Sequence, residues 1–576
     1  MKILGLNAYH ADASAALIED GRVLAAAEEE RFNRIKHSAG FPIEAVRYCL
    51  KQGGVDLRGV DLIAVASKPI GNVREEILQI LSGRPAYSRQ IKKWLEAVAK
   101  FRDVRAVISK EFGLDMKAVP PVREIPHAVA HIASAYYQSG WPELEGDTAL
   151  ACIDGFGDFC STLLAKGTGS EIESLEEVLF PHSIGILYTM VTQFLGFQKY
   201  GDEGKVMGLA ALGEPIYVER LRQIIELTDD GLFELDPSYF THPVYGLDMI
   251  WEGRQPILED IFSERMIKTF GPPRHRYAEL GVRERDLAAS IQALTEEAVI
   301  HVLRGLHERT GSKRLAYAGT VALNSVINGR LLKELPFEDI YIASAPHDAG
   351  TAIGCALRAA AEEGEKRFSE RALSTRFGPS WSIEECESAL ATSGLHYRRS
   401  ANFADEAATA LADGKIVGWF RGRMEFGPRA LGGRSILADP RNAELRSQLN
   451  ERVKFREAYR PFAASILVEG MADYFPGSPE SPFMLYNLPI AEDKADTVPA
   501  IVHEDGTCRI HTVSEKDEPD FHALLKAFHE KTGMPLLLNT SFNENEPMVC
   551  TPEDAIAVFS TTNLDLLVME DFIVHR

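Results

Sequence analysis

A strand-hairpin pattern that occurs twice limits the folds open to this chain. Residues 2–28, KILGLNAYHADASAALIEDGRVLAAAE, read as strand, polar loop, strand, turn, strand, with Glu19-Asp20-Gly21 as the hairpin turn. Residues 148–169, TALACIDGFGDFCSTLLAKGTG, repeat that order around a Gly/Asp loop. The two units are alike in pattern, not in residue identity, and they point to an internal duplication. A chain of 576 residues is also too long for a single core.

The segments downstream of each unit extend the pattern. Residues 43–53 read as a helix stopped by glycine, 60–67 (VDLIAVAS) as a buried strand, and 74–118 as a helical insertion of mixed charge. After the second unit, 284–310 is helical, and 314–332 and 339–364 each read as strand, small-residue loop, helix. Paired strand-hairpins with helices behind them resemble the actin-like ATPase and sugar-kinase plan, in which paired loops face a nucleotide cleft. The polar stretch 365–379 is the best linker. Beyond it a new α/β pattern begins, with helices at 382–393 and 404–413, a strand at 415–420 and a last strand at 566–575. The expected fold class is therefore α/β in two domains, 1–370 and 371–576, with the boundary placed to within about ten residues.

Composition excludes several function classes. A net charge of -22 argues against a nucleic-acid or anionic-membrane surface. The seven cysteines lie scattered, without CxxC spacing, which disfavours a disulfide framework or a thiolate zinc site. No run approaches the ~18 apolar residues of a membrane span, and the N-terminal apolar run is too short for a signal peptide. A cytoplasmic location is expected by default.

Several residue groups carry candidate chemistry. His127 and His131 stand four apart after Pro126, so a helix puts both imidazoles on one face. Asp154 and Asp348 end strands beside glycine turns, and two imidazoles with two carboxylates suit Fe(II), Mn(II) or Zn(II). Two packed histidines and a helix-capping Asp348 are the plainer alternatives. The glycine-rich loops 200–215 and 318–330 offer Lys205 and the helix start at Asn324 to a phosphate, although neither is a Walker loop. His10 and Asp12 lie in the first polar loop, where a histidine would serve as a general base. Glu28, Glu29 and Glu30 read first as a solvated helix start. The densest signal is GRMEFGPRALGGRSILADPR (422–441) with NERVKFREAYRPFAASIL (450–467). These segments pack Arg423, Arg429, Arg434, Arg441, Lys454, Arg456 and Arg460 among turns, as recognition of several phosphates requires. Arg509 and His511 come next in CRIHTV, and Asn539, Thr540, Ser541 and Asn543 in LLLNTSFNENEPM.

These last segments, together with DASAALIEDG, AAAEEERFNRIKHSAGFP, HAVAHIASAYY, YGDEGKVMGLA and HDAGTAIG, resemble the motifs of O-carbamoyltransferases over nearly the whole chain. The resemblance implies an actin-like N-terminal domain similar to the tRNA threonylcarbamoyl-transferases and a C-terminal domain similar to YrdC. The second would join carbamoyl phosphate and ATP, with Mg2+, into carbamoyladenylate; the first would pass the carbamoyl group to a small-molecule hydroxyl. It implies His127, His131, Asp154 and Asp348 as ligands of Fe2+ (or Mn2+ or Zn2+), and Glu203, Lys205, Gly208 and Asn324 around the adenylate. It implies Arg429, Lys454, Arg460, Arg509, Ser541 and Asn543 as the carbamoyl phosphate and ATP site, and His10 as the base. Some members read HDAS where this chain reads HADAS, which puts the role of His10 in question. A sugar-kinase-like phosphotransferase, or an actin-like scaffold that binds nucleotide without turnover, are the other readings. A homodimer is left open.

Overall fold

The computed structural model describes residues 1–68, 104–247, 249–250, 255–368 and 370–576. Of the insertion expected at 74–118, the part up to 103 lies outside the described residues, and Val104–Phe112 is a helix. The chain forms two compact units, Met1–Ala372 and Leu373–Arg576.

The first unit contains two five-stranded sheets of the same order. β1 (Lys2–Asn7), β2 (Ser14–Glu19), β3 (Arg22–Glu28), β4 (Leu62–Val65) and β5 (Val122–Glu124) lie as β3-β2-β1-β4-β5. β6 (Thr148–Gly157), β7 (Cys160–Thr168), β8 (Glu171–Leu179), β9 (Arg314–Ala318) and β10 (Asp339–Ile342) lie as β8-β7-β6-β9-β10. In each sheet the first three strands form an antiparallel meander and the last two add in parallel beside the first. The duplication read from the hairpins is thus a duplication of topology, and the unit has the actin-like plan.

β1 is buried on both faces, which is why KILGLN lacks clean alternation. Leu4, Leu6, Ala15 and Leu17 pack on Ala45, Val46 and Cys49 of the helix Ile43–Gln52. Two further helices, α1 (His127–Gln138) and α2 (Thr351–Glu362), pack on each other; α2 lies on β1 and α1 on β6 and β9. The approach is close: a Cβ on Gly5 would meet Ala352 O at 1.9 Å, and one on Gly354 would meet Ala130 O at 1.8 Å.

The second unit is built on a nine-stranded mixed sheet. Its strands are β11 (His396–Arg399), β12 (Val417–Phe420), β13 (Arg434–Ala438), β14 (Ala463–Leu467), β15 (Tyr486–Pro489), β16 (Thr507–Val513), β17 (Leu536–Ser541), β18 (Leu566–Met569) and β19 (Phe572–His575). They lie in the order β11-β19-β18-β12-β13-β17-β14-β16-β15. The single last strand expected over 566–575 is instead a hairpin, because Glu570 takes a left-handed backbone (φ 44°) and turns the chain.

Candidate active site

In the first unit the crossing helices bring four predicted residues together. His127 and His131 sit on the first two turns of α1, Asp154 on β6, and Asp348 just before α2. All four are buried, and one ligand atom from each lies within 4.8 Å of the others. The two imidazole Nε2 atoms are 3.0 Å apart. Each lies 3.7 Å from Asp154 Oδ2 and 3.5 Å from Asp348 Oδ1.

The surroundings set the tautomers. His127 Nδ1 faces Ala66 O at 3.3 Å and His131 Nδ1 faces Pro346 O at 3.0 Å. A carbonyl only accepts, so in the neutral rings both protons sit on Nδ1 and both Nε2 lone pairs face inward. Two lone pairs and two carboxylates then converge on one buried point, a donor set that fits a borderline divalent cation. Burial by itself would lower the His127 pKa, but Asp154 and Asp348 together raise it well above the usual value. Burial would raise Asp154, yet His127 and His131 hold it at about 2. Asp154 is held in turn by the backbone N–H of Thr320, 2.8 Å from Oδ1, and by the Thr320 hydroxyl. The N–H of His127 donates to Asp158 Oδ2 at 2.9 Å, which anchors the start of α1. Gly157 allows the close approach, since a Cβ there would lie 2.0 Å from His127 Cδ2.

His10 stands beside this cluster, its ring centroid 4.6 Å from that of His127. Burial, and then His127, push its pKa down to about 4. Asp12 turns to His37: its Oδ1 lies 2.8 Å from His37 Nδ1. The predicted adenylate residues come from two segments that meet. Glu203, Lys205 and Gly208 share the helix Glu203–Ala210, and Met207 Sδ of that helix lies 4.0 Å from Ser325 Oγ, beside Asn324. Glu203 accepts from Thr189 Oγ1 at 2.7 Å, and Lys205 Nζ lies 3.0 Å from Asp202. Asn324 caps the helix Ser325–Glu334, its Oδ1 accepting from Ile327 N at 3.2 Å.

The glutamate run is not solvated. Glu28, Glu29, Glu30 and Arg31 are all buried. Arg31 bridges Glu28 and Glu30, and Glu29 accepts from Ala45 N at 2.9 Å at the start of the helix Ile43–Gln52. The run reads as surface charge because a sequence cannot display the arginine and amide partners that make its burial tolerable.

In the second unit the arginines divide into two groups. Arg434 is fully buried, donates to the carbonyls of Arg421, Gly422, Gly433 and Pro379, and stacks over Phe420 at 3.8 Å. Arg441 is paired with Asp439, and Arg423 donates to Phe377 O at 2.6 Å. These three hold the fold. Arg429, Arg460 and Arg509 form the other group, with Arg456 beside them but itself donating to Asn450 Oδ1 at 2.7 Å and Pro461 O at 3.2 Å and lying over Phe462. Burial, then Arg429, Arg456 and Arg460, push Arg509 well below the ordinary guanidinium value; burial and Arg460 bring Arg429 to about 10 and Arg456 to about 9. The loop bearing Arg429 is shaped by Glu425, which accepts from Leu431 N at 2.7 Å and Gly433 N at 2.6 Å. Lys454, buried, donates to Asn543 Oδ1 at 2.7 Å and lies 3.4 Å from Ser541 Oγ. All four arginines are half-buried, and like charges held this close favour a bound polyanion over their own repulsion.

The first unit thus joins a duplicated α/β fold to a buried His/His/Asp/Asp cluster, and the second is an α/β unit that carries an arginine cluster. Residues 2–357 match the family described as carbamoyltransferase N-terminus and residues 408–576 that described as carbamoyltransferase C-terminus. The chain belongs to the carbamoyltransferase family and is an enzyme of that class. It is 39% identical over 581 residues to nodulation protein NolNO of Sinorhizobium fredii, covering 99% of this chain and 80% of that one. It is 40% identical over 460 residues to nodulation protein NolO of Bradyrhizobium diazoefficiens, covering 78% of each. An uncharacterized protein of Synechocystis is 38% identical over 610 residues, covering 100% of this chain and 96% of that one. No helix among the described residues is long and apolar enough to cross a membrane.

Proposed function

We propose that the protein is an ATP-dependent O-carbamoyltransferase that forms carbamoyladenylate from carbamoyl phosphate, water and ATP, releasing phosphate and pyrophosphate, and transfers the carbamoyl group to a hydroxyl of a small-molecule acceptor. The observation that carries this reading is the neighbourhood of half-buried Arg429, Arg460 and Arg509 together with buried Lys454 on Ser541 and Asn543, a concentration of cationic donors that suits several phosphate charges. In this reading the second unit is YrdC-like. Its arginines, with Lys454, Ser541 and Asn543, grip carbamoyl phosphate and the ATP phosphates, with Mg2+ carried by the nucleotide. Residues 1–370 act on the product: Glu203, Lys205, Gly208 and Asn324 hold the adenylate beside the cluster.

The chemistry has a physical reason. Nitrogen donates into a carbamoyl carbonyl and makes it a poor electrophile; a mixed anhydride with AMP supplies a good leaving group. A divalent ion held by His127, His131, Asp154 and Asp348, with Fe2+, Mn2+ or Zn2+ suiting the donors, supplies Lewis-acid polarisation when bound. Stabilising charge on the carbonyl oxygen is worth about 3–4 kcal/mol for one good donor. By resemblance, the acceptor proton goes to His10, with Asp12 in the same loop.

The duplicated sheets would equally serve a sugar-kinase-like phosphotransferase, and the product separates the two. Incubated with ATP, Mg2+ and carbamoyl phosphate, the protein is expected to release phosphate and pyrophosphate, and AMP as the adenylate is discharged; ADP as the main product sinks the proposal. Arg429→Ala or Lys454→Ala is expected to abolish AMP formation. His127→Ala is expected to block carbamoyl transfer while pyrophosphate is still released by adenylate formation.

A further inference from the structure

His37 has no task in the proposed reaction so far, yet it is built like a catalytic histidine. It lies in IKHSAGFP, after the buried glutamate run. Its Nδ1 is 2.8 Å from Asp12 Oδ1, its backbone N–H donates to Glu30 Oε2 at 2.7 Å, and its side chain keeps 22% of its exposure. With the carboxylate accepting from Nδ1, Nε2 presents a lone pair. That atom faces the loop at 200–201: the Tyr200 ring is 5.3 Å away, edge on, and a Cβ on Gly201 would lie 2.6 Å from Nε2. Gly201 is left-handed (φ +86°), so glycine serves there on both counts.

Asp12 and His37 each hold a left-handed backbone, both at φ 54°. Such conformations are costly for a non-glycine residue and persist where the surroundings enforce them. The pair is linked toward the four-residue cluster through His347. Asp12 Oδ2 lies 4.0 Å from His347 Nε2, and the next residue, Asp348, faces both ligand imidazoles. His10 is placed differently: its Nε2 is sealed from solvent and its ring lies against His127.

We infer, granted the carbamoyl-transfer reading, that His37, oriented by Asp12, is the base that accepts the proton of the acceptor hydroxyl, in place of His10. As the acceptor oxygen attacks the carbamoyl carbon, its proton moves to His37 Nε2. The new C–O bond forms, the bond from that carbon to the adenylate phosphate oxygen breaks, and AMP leaves with the electron pair. The proton then passes to solvent from the exposed edge of the ring. Asp12 fixes the tautomer and stabilises the imidazolium, the division of labour of a histidine–carboxylate pair.

The groups that bear on His37 are Asp12, Glu30, Lys36, Tyr200, Glu203 and His347. Burial alone would lower its pKa, but Asp12 and Glu30 outweigh burial and raise it above the ordinary value. A base works when neutral, so transfer is expected to fall as pH drops through that raised pKa.

The test uses the full chain, ATP, radiolabelled carbamoyl phosphate and methyl α-glucoside as the acceptor probe, with discharge to water counted in the same samples. In His37→Asn, asparagine tolerates the left-handed backbone. Enzyme-dependent discharge is expected to slow by about 10²–10⁴-fold, the ratio of pyrophosphate formed to carbamoyl discharged in the first turnover to rise, and the acid limb of the pH profile to vanish. Asp12→Asn is expected to move that limb to lower pH. His37→Gly, which also suits the backbone, is expected to recover rate on adding imidazole. An unmoved acid limb in His37→Asn, no response of His37→Gly to imidazole, or loss of bound metal in either variant would each overturn the assignment. ADP in place of AMP from the unaltered protein overturns the carbamoyl-transfer reading beneath it, a result distinct from an unmoved limb with AMP formed.

Discussion

At the scale of the residue, like charges in one short stretch do opposite work. Arg429 and Arg434 are five positions apart, yet Arg434 is spent on backbone carbonyls and Phe420, while Arg429 sits among arginines. Arg31 makes the point most sharply, as the cation between two buried carboxylates. Arg31→Leu would strand Glu28 and Glu30, and is expected to cost about 3–5 kcal/mol of stability. A fall in the urea midpoint at unchanged slope checks it. None of this was legible in EEER, which reads as solvated charge because local sequence carries no information on burial. The HxxxH pair was legible, because helical geometry alone places i and i+4 on one face. His37 does not stand out within its motif; its signal is the partner Asp12, 25 residues away.

At the scale of the element, the cluster depends on how tightly α1 and α2 cross. Gly354 gives that crossing its closeness, with no room for a Cβ against Ala130 O. Gly354→Ala is expected to push the helices apart, at a cost of about 1–3 kcal/mol for overpacking, and to weaken metal binding, because His127 and His131 lie on one helix and Asp348 precedes the other. Denaturant unfolding and metal titration of the same variant check both effects. The helices themselves were readable from periodicity, and so were the strand-hairpins. The turn at Glu570 was missed because LLVMEDFIVH is apolar on both sides of a two-residue break that contains neither glycine nor proline.

At the scale of the molecule, two compact units predict two unfolding transitions. In the proposed division of labour, chelation lowers only the transition of the unit holding His127, and inorganic pyrophosphate raises only the other. A ligand at a hundred times its Kd stabilises its own unit by about 2.7 kcal/mol. Calorimetry with and without each agent checks this; one merged transition that responds to both would contradict it. The linear chain was enough to specify the two-part α/β organisation, the duplicated strand pattern and the residue types of the cluster, because hydrophobic period, turn chemistry and helical spacing are local properties. Folding in three dimensions was needed for Asp154 and Asp348 to meet the two histidines, for one group of arginines to hold the fold while another repels itself, and for Asp12 to turn to His37. Each of these depends on which distant segments share a buried volume, where desolvation makes every charge seek a partner.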